Sequence, residues 1–326
     1  MITRPLGASG PPVSALALGC MGMSGMYGPS DERESIATIH AAIDAGINLL
    51  DTGDFYGMGH NEMLIGRALE GRRNHVLLSV KFGGMRMPNG AFIGLDGRPN
   101  AVKNFLSYSL QRLRTDHIDI YRLTRPDPAV PIEETVGAIA ELIHAGYVRY
   151  VGLSESGAAT IRRAHATHPV CDLQIEYSLA SRSIEREILP TLRELAIAVT
   201  AYGVLSRGLL TGSQPAGKSD FRAYLPRFSG ANGEHNRQVA ADLAVMATAR
   251  GVTPAQLAIA WVMSKGDDIV PVVGARTRRQ LAESLAALNV KLSAAEIARL
   301  EEICNPQRIQ GTRYGADQMQ MLDSER

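Results

Sequence analysis

The chain has 326 residues, 45% of them hydrophobic and 21% charged, with a formal net charge of +1. This is ordinary globular composition, and it gives no electrostatic case for binding nucleic acid or an acidic partner. No run approaches the roughly 18 apolar residues that cross a bilayer, and three widely spaced cysteines (Cys20, Cys171, Cys304) suit neither a disulfide framework nor a zinc site, so a cytoplasmic protein with reduced thiols is expected.

The opening segment, RPLGASGPPVS, is too rich in Pro and Gly for a signal peptide and has hairpin-like turn chemistry. ALALGC (15–20) is the first β-rich run, followed by Ile36, Ile39 and Ile43 on one helical face. NLLDTG (48–53) precedes NEMLIGRALEG, where Gly71 stops the helix. VLLSVK (76–81) leads through a Gly-rich loop to Val102, Phe105, Leu106, Leu110 and Leu113 at helical spacing. IDIYRL (118–123) precedes a helix carrying Ile132, Val136, Ile139 and Ile143 that ends at Gly146. VRYVGLS (148–154), DLQIEYS (172–178), AVTAYGV (198–204) and DIVPVVG (268–274) complete eight runs, each followed by a helical pattern.

Continuous apolar strands alternating with helices call for an α/β protein whose parallel sheet is covered by helices. Eight units are the number at which such a sheet closes into a (β/α)₈ TIM barrel and loses its edges. The competing doubly wound sheet normally carries a GxGxxG turn after its first strand, and GCMGMSG fails that spacing. The expectation is one barrel domain over 1–326, an N-terminal β-hairpin plugging its floor, and extra C-terminal helices. Three stretches, about 82–99, about 206–234 and the tail beyond Asn305, exceed simple connectors, and long loops in compact domains are often functional.

In such a barrel the carboxyl ends of the strands face the site. They present Gly19 and Cys20, Asp51, Lys81, Thr124, Ser154, the 174–177 stretch, Tyr202 and Gly274. A phenol with an ordinary pKa of about 10 is a poor acid near neutrality. A neighbouring ammonium would lower that pKa, and a carboxylate would hold the ammonium in place. Tyr56 as acid, Lys81 as tuner and Asp51 as anchor would therefore protonate a carbonyl oxygen that is receiving hydride. Singly, each residue has a plainer role: a helix-capping Asp, a packed Tyr, a solvated Lys. Their placement on neighbouring strand ends favours chemistry. No histidine spacing suits a metal; His165 and His168 lack a third ligand nearby.

These motifs together resemble the aldo-keto reductases. DTGDFYG with NEMLIGRAL, SVKFG, the LxRxDP-like stretch after IDIY, GYVRYVGLS, QIEYSL, AYGVLSRGLLTG and VPVVGART occur in that family's order over nearly the whole chain. The resemblance implies a (β/α)₈ barrel that uses NADPH, with NADH as its alternative, to interconvert carbonyls and alcohols. It assigns Asp51, Tyr56 and Lys81 to three of four catalytic positions, with Tyr56 the proton donor. Asp51, Ser154 and Gln174 match positions beside the nicotinamide, the latter two holding its carboxamide. Tyr202 matches the aromatic stacked on the ring, and Gly19, Cys20 and Met21 the first-strand contact. Gly203, Leu205, Ser206, Arg207 and Gly208 resemble the turn over the pyrophosphate. Gly274 and Arg276 resemble the adenosine-phosphate grip, with Gln280, Glu283 and Ser284 near the adenine. Ser284 and Glu155 both stand where the family commonly has Asn.

At the fourth catalytic position the family usually has His, and this chain has Thr124. Threonine keeps a hydroxyl donor but carries no proton charge near neutrality. The resemblance then implies either a working reductase of aldehydes or ketones, or a weakly active nucleotide-binding regulatory subunit like the channel-associated members. Loss of one preorganised donor costs ~10²-fold in rate. Met23, Met26, Tyr27, Phe55, Phe82 and Met85 are expected to wall the substrate mouth beside Tyr56 and Thr124, with Phe221 and Tyr224 from the long loop as further contacts. Small carbonyl compounds are the expected partners; membranes and nucleic acids are not. The oligomeric state is open.

Overall fold

The computed structural model describes residues 1–217 and 220–326. A hairpin of β1 (Thr3–Pro5) and β2 (Pro12–Ser14) comes first, followed by β3 (Ala17–Gly19), β4 (Leu49–Gly53) and β5 (Leu77–Phe82). A second hairpin, β6 (Gly84–Arg86) and β7 (Phe92–Leu95), lies within the long 82–99 stretch. Then come β8 (Ile118–Leu123), β9 (Val148–Ser154), β10 (Val170–Glu176), β11 (Ala198–Tyr202) and β12 (Ile269–Gly274). Apart from the two hairpins, these strands close into a barrel in the order β10-β11-β12-β3-β4-β5-β8-β9, and every ladder within it is parallel. The expected (β/α)₈ barrel is the observed fold, with strand limits shifted by no more than two residues.

Around the barrel lie α1 (Glu32–Asp44), α2 (His60–Ala68), α3 (Pro99–Leu113), α4 (Ile132–His144), α5 (Ala158–Thr167) and α6 (Ile188–Glu194). They are followed by α7 (Gly230–Arg250), α8 (Pro254–Met263), α9 (Arg278–Ala286), α10 (Ala294–Ile303) and α11 (Ala316–Gln320). The starts of several are written in the sequence. Thr253 with Gln256 and Ser293 with Glu296 form capping boxes that satisfy the first amides of α8 and α10. Among the described residues no single helix is long and apolar enough to cross a membrane.

Two apolar layers result. The larger lies between strands and helices, where Leu18, Cys20, Leu50, Val80, Phe82 and Leu123 meet Ile39, Ile65, Leu106 and Ile139, with Cys304 in the same cluster. The smaller fills the barrel floor: Leu6 and Val13 of the first hairpin pack with Ala17, Leu49, Ile120, Cys171, Ala198 and Val270. The hairpin is thus the expected plug.

Above that floor the interior turns polar. Arg122, fully buried, donates from Nη1 to Asp172 Oδ2 at 2.8 Å and to the Leu153 carbonyl at 3.1 Å, and from Nη2 to Ser79 Oγ at 3.0 Å. Thr200 Oγ1 also donates to Asp172 Oδ2, at 2.6 Å. Gly152 makes room for this pair, since a Cβ there would lie 2.8 Å from Arg122 Cζ and 2.9 Å from Asp172 Oδ1. The column continues upward to the barrel mouth.

Candidate active site

At the top of the column Ser79 Oγ donates to Asp51 Oδ2 at 2.9 Å, and Lys81 Nζ donates to Asp51 Oδ1 at 2.5 Å and to the Thr52 carbonyl at 3.3 Å. Strand register dictates the meeting, because Asp51 pairs with Ser79 and Lys81 with Arg122 across β4, β5 and β8, and alternate residues of a strand share a face. Asp51 and Lys81 are 5% and 6% exposed, so the ion pair sits in a poorly solvated place.

Tyr56 follows β4 in a tight turn where Gly57, Met58 and Gly59 all have positive φ. Its ring stands edge-on to Phe55 at 4.8 Å, with Lys81 Nζ 5.3 Å from its centroid. One expectation is corrected. The phenol is not tuned down: burial, then the nearness of Asp51, pushes it well above its ordinary value. The Lys81 ammonium hydrogen-bonds Asp51 and a backbone carbonyl rather than the phenol, while burial pulls its own pKa down. As it stands the site holds a protonated Tyr56.

Thr124 lies just beyond β8, half-buried, with its amide on the Phe82 carbonyl at 2.9 Å and no hydrogen bond from its hydroxyl among the described residues. Phe55 packs against Tyr56, and Tyr27 lies beneath the Arg222 guanidinium. Two other expected wall residues do not reach the mouth. Phe82 points outward, stacked on Tyr121 at 4.1 Å and packed toward Phe105 in the strand–helix layer. Met23, 1% exposed, belongs to that same cluster. Both strand faces here are apolar, so the sequence carried no alternation to tell which side each residue takes. The Cys20 side chain is likewise in the outer layer, and its backbone is tied into the wall, its amide donating to the Asp51 carbonyl and its carbonyl accepting from Asn61 Nδ2 of α2. Tyr224 is 68% exposed, whereas Arg222 from the same turn reaches over the Tyr27 ring.

Ser154 and Gln174 are register partners on β9 and β10. Gln174 Nε2 donates to Asp51 Oδ2 at 2.7 Å, but its Oε1 is buried without a hydrogen-bond partner, and the Ser154 hydroxyl makes no bond among the described residues. A buried orphan acceptor is costly. An acceptor and a free hydroxyl side by side fit a primary carboxamide, the group a nicotinamide would present. Tyr202 packs against the interior cluster, with its hydroxyl donating to Glu155 Oε1 at 2.7 Å.

The turn after β11 holds Gly203, Ser206, Arg207 and Gly208 at positive φ, with Leu205 half-buried among them. Gly203 is needed on a second count: a Cβ would meet Glu176 Cγ at 3.0 Å. Arg207 turns inward onto Glu176 at 3.0 Å, so a phosphate would meet the backbone of this turn rather than that guanidinium. On the neighbouring strand, Gly274 is exposed at the end of β12. Arg276 donates to the carbonyls of Tyr27 and Pro29, and its amide to Gln280 Oε1. Glu283 is half-buried, Ser284 is buried in α9, and Arg278 is paired with Glu34. Gly19 and Met21 are half-buried beside this groove.

Sequence reasoning missed the tail. Arg313, 5% exposed, pairs with Glu155 at 2.6 Å and Glu325 at 2.9 Å, and Ser324 Oγ donates to Glu155 Oε2 at 2.7 Å. Burial alone would raise the Glu155 carboxyl, but Arg313, Tyr202 and Ser324 bring it down to about 2. Tyr314 lies under the guanidinium groups of Arg207 at 4.5 Å and Arg125 at 5.0 Å, its hydroxyl 3.2 Å from that of Tyr202. Glu155, Ser206 and Arg207 are non-glycine residues at positive φ, strain of the kind that gathers at functional sites. The only signal available beforehand was Glu155 in place of the common Asn.

The model of the Aldo/keto reductase family matches residues 15–305. An aldo-keto reductase of Schizosaccharomyces pombe, named for NADP(+), is 39% identical over 311 residues, covering 93% of this chain and 92% of the relative. A probable aldo-keto reductase of Glycine max is also 39% identical, over 317 residues covering 95% and 90%. Among solved structures, a glycerol dehydrogenase of Gluconobacter oxydans superposes with a TM-score of 0.84 at 30% identity, covering 95% of this chain and 98% of its own. An aldo-keto reductase of Bacillus halodurans gives 0.78 at 28%, covering 94% and 97%.

Proposed function

The chain belongs to the aldo/keto reductase family, and from that premise we propose that it is an NADPH-dependent oxidoreductase reducing an aldehyde or ketone to the alcohol, with Tyr56 as proton donor. NADPH, or NADH in its place, supplies the hydride when bound. Tyr56 gives its hydroxyl proton to the carbonyl oxygen as the carbon accepts hydride, and is reprotonated from solvent. Burial keeps the phenol protonated until the oxygen gains charge. Lys81, held by Asp51, keeps its ammonium 5.3 Å from the Tyr56 ring centroid, beside the donor. Thr124 offers the carbonyl a neutral donor where a histidine would offer a titratable one.

The observation that carries the reading is the pairing of Gln174 Oε1, buried and unbonded, with Ser154 one strand away and the Asp51–Lys81 pair alongside. A carboxamide there would satisfy the orphan and turn the nicotinamide face against Tyr202. The backbone of Gly203, Leu205, Ser206, Arg207 and Gly208 is proposed to face the pyrophosphate. Gly274, Arg276, Gln280, Glu283 and Ser284 are proposed to hold the adenosine end, on the opposite side of the barrel mouth from Thr124. Cys20 enters this set through its backbone, with Gly19 and Met21.

The test follows cofactor oxidation with a panel of aldehydes, comparing the protein with Tyr56→Phe. General acid catalysis contributes roughly 10²–10⁴-fold, so the variant should lose about that factor in kcat while binding NADPH as tightly. Tight NADPH binding without any Tyr56-dependent turnover would move the protein to the nucleotide-binding regulatory class instead.

A further inference from the structure

The arginines around the barrel mouth fall into two groups. Arg207 and Arg227 share Glu176, at 3.0 and 3.5 Å; Arg313 has Glu155 and Glu325; Arg222 has Asp220 at 2.7 Å. These pairs claim the carboxylates of that part of the rim. Arg276, Arg125 and Arg86 form no ion pair among the described residues; Arg276 belongs to the proposed adenosine grip and is held by the Tyr27 and Pro29 carbonyls. Arg125, directly after Thr124, lies over the Tyr314 ring at 5.0 Å and touches only the Gln318 carbonyl, at a long 3.5 Å. Arg86 lies over Phe55 at 5.7 Å, donates from Nη1 to the Gly90 carbonyl at 2.6 Å, and leaves its Nε buried without a partner.

Their positions matter as much as their lack of partners. Both follow neighbouring strands, β5 and β8, and each cation rests on an aromatic that borders the catalytic set: Phe55 touches Tyr56, and Tyr314 touches Tyr202. In the closed barrel β8 lies opposite β12, where the adenosine phosphate would be held. The adenosine phosphate bound there is therefore not the anion these two residues face, while Arg125 shares the Tyr314 ring with Arg207 of the turn proposed for the pyrophosphate. A guanidinium fork is built for planar oxyanions, and neither of these forks is closed by an ion pair among the described residues, although the Asp54 carboxyl acts electrostatically on Arg86.

We propose that Arg125 and Arg86 form an oxyanion-binding rim that selects carbonyl substrates carrying a carboxylate or phosphate away from the reacting carbonyl. This rests on the reductase reading above. Tyr56 and Thr124 would hold the carbonyl end, and the two guanidinium groups would hold the acidic end.

Three aldehydes separate the possibilities: benzaldehyde, 4-carboxybenzaldehyde and 4-formylphenyl phosphate, each assayed for kcat and KM with NADPH. Hydrogen bonds to charged groups are strong enough that the native protein should favour at least one acidic aldehyde over benzaldehyde by about ten-fold or more in kcat/KM. The preferred acid identifies which oxyanion fits. In Arg125→Met, which keeps an apolar stem over Tyr314, that acid-to-neutral ratio should fall about ten-fold, mainly through KM; Arg125→Lys should recover part of it. Arg86→Met, in a separate hairpin, should lower the ratio in the same direction and guards against misfolding of the first variant. A ratio near one in the native protein, or one unmoved by both Met variants, overturns the rim while leaving the reductase intact. Absence of turnover with all three aldehydes removes the reductase reading, and the rim falls with it.

Discussion

Arg122→Met tests the polar column inside the barrel. The guanidinium is fully buried and, among the described residues, is the only cation bonded to Asp172, which is itself fully buried. Removing it leaves the carboxylate with the Thr200 hydroxyl at 2.6 Å and the Cys171 thiol at 3.3 Å, and frees Ser79 from a donor. Breaking a buried pair from one side costs about 3–5 kcal/mol. At roughly 2–4 °C per kcal/mol for large domains, the melting temperature should drop by roughly 6–20 °C. The deficit should also depend on pH. A buried carboxylate without its cation is penalised only in its charged form, so the cost is greatest where that form prevails. The loss relative to the native protein should therefore be larger at pH 8 than at pH 5. Denaturant unfolding at both pH values measures this, and Asp172→Asn in the Arg122→Met background should recover at least half of it. A single-variant loss below about 1 kcal/mol, or a double variant worse than the single, would refute the reasoning.

Two further outcomes follow from the mouth. Asp54 has both carboxylate oxygens buried with no ion pair among the described residues, and burial, then Glu62 close by, pushes its pKa up to about 7 against the pull of the Gly83 and Phe55 amides and Arg112. The unfolded chain ionises near 3.8, so this group costs stability as pH rises from about 4 to 7. Asp54→Asn should be more stable at pH 8 by up to roughly 4 kcal/mol, with the gain vanishing near pH 4, as read by urea unfolding. Glu155 behaves in the opposite sense. Its folded pKa of about 2 lies below 4.5, so its contribution is present above pH 4.5 and is lost as pH falls toward 2. Glu155→Gln should flatten that acid limb and speed proteolytic clipping of the tail at neutral pH, since Arg313 loses its nearest carboxylate.

The barrel was legible because parallel strands covered on both sides read as unbroken apolar runs separated by helical spacing. The same property hid which face a residue takes, and so Phe82 and Met23 were placed on the wrong side of the wall. Asp51, Lys81, Ser154 and Gln174 were legible because each sits at the end of a strand whose register the fold enforces. The direction of the Tyr56 shift was not, since it depends on how completely Asp51 engages Lys81 and on how dry the pocket is. Arg313 and Tyr314 were out of reach for another reason. They lie in a tail without periodicity, and Glu155 and Glu176 are more than a hundred residues away in the chain.

Burial pushes all three thiols up, Cys304 to about 12 and the other two further, so none is a ready nucleophile while the fold is closed. Each sits in a different place: Cys171 against the hairpin plug, Cys20 on the outer side of the first barrel strand, Cys304 at the C-terminal cap of α10. Alkylation can therefore proceed only through structural opening, and mapping which thiol is labelled first would rank how readily the floor, the wall and the C-terminal cover breathe. The native chain thus carries three built-in clocks of local unfolding and needs no introduced probe.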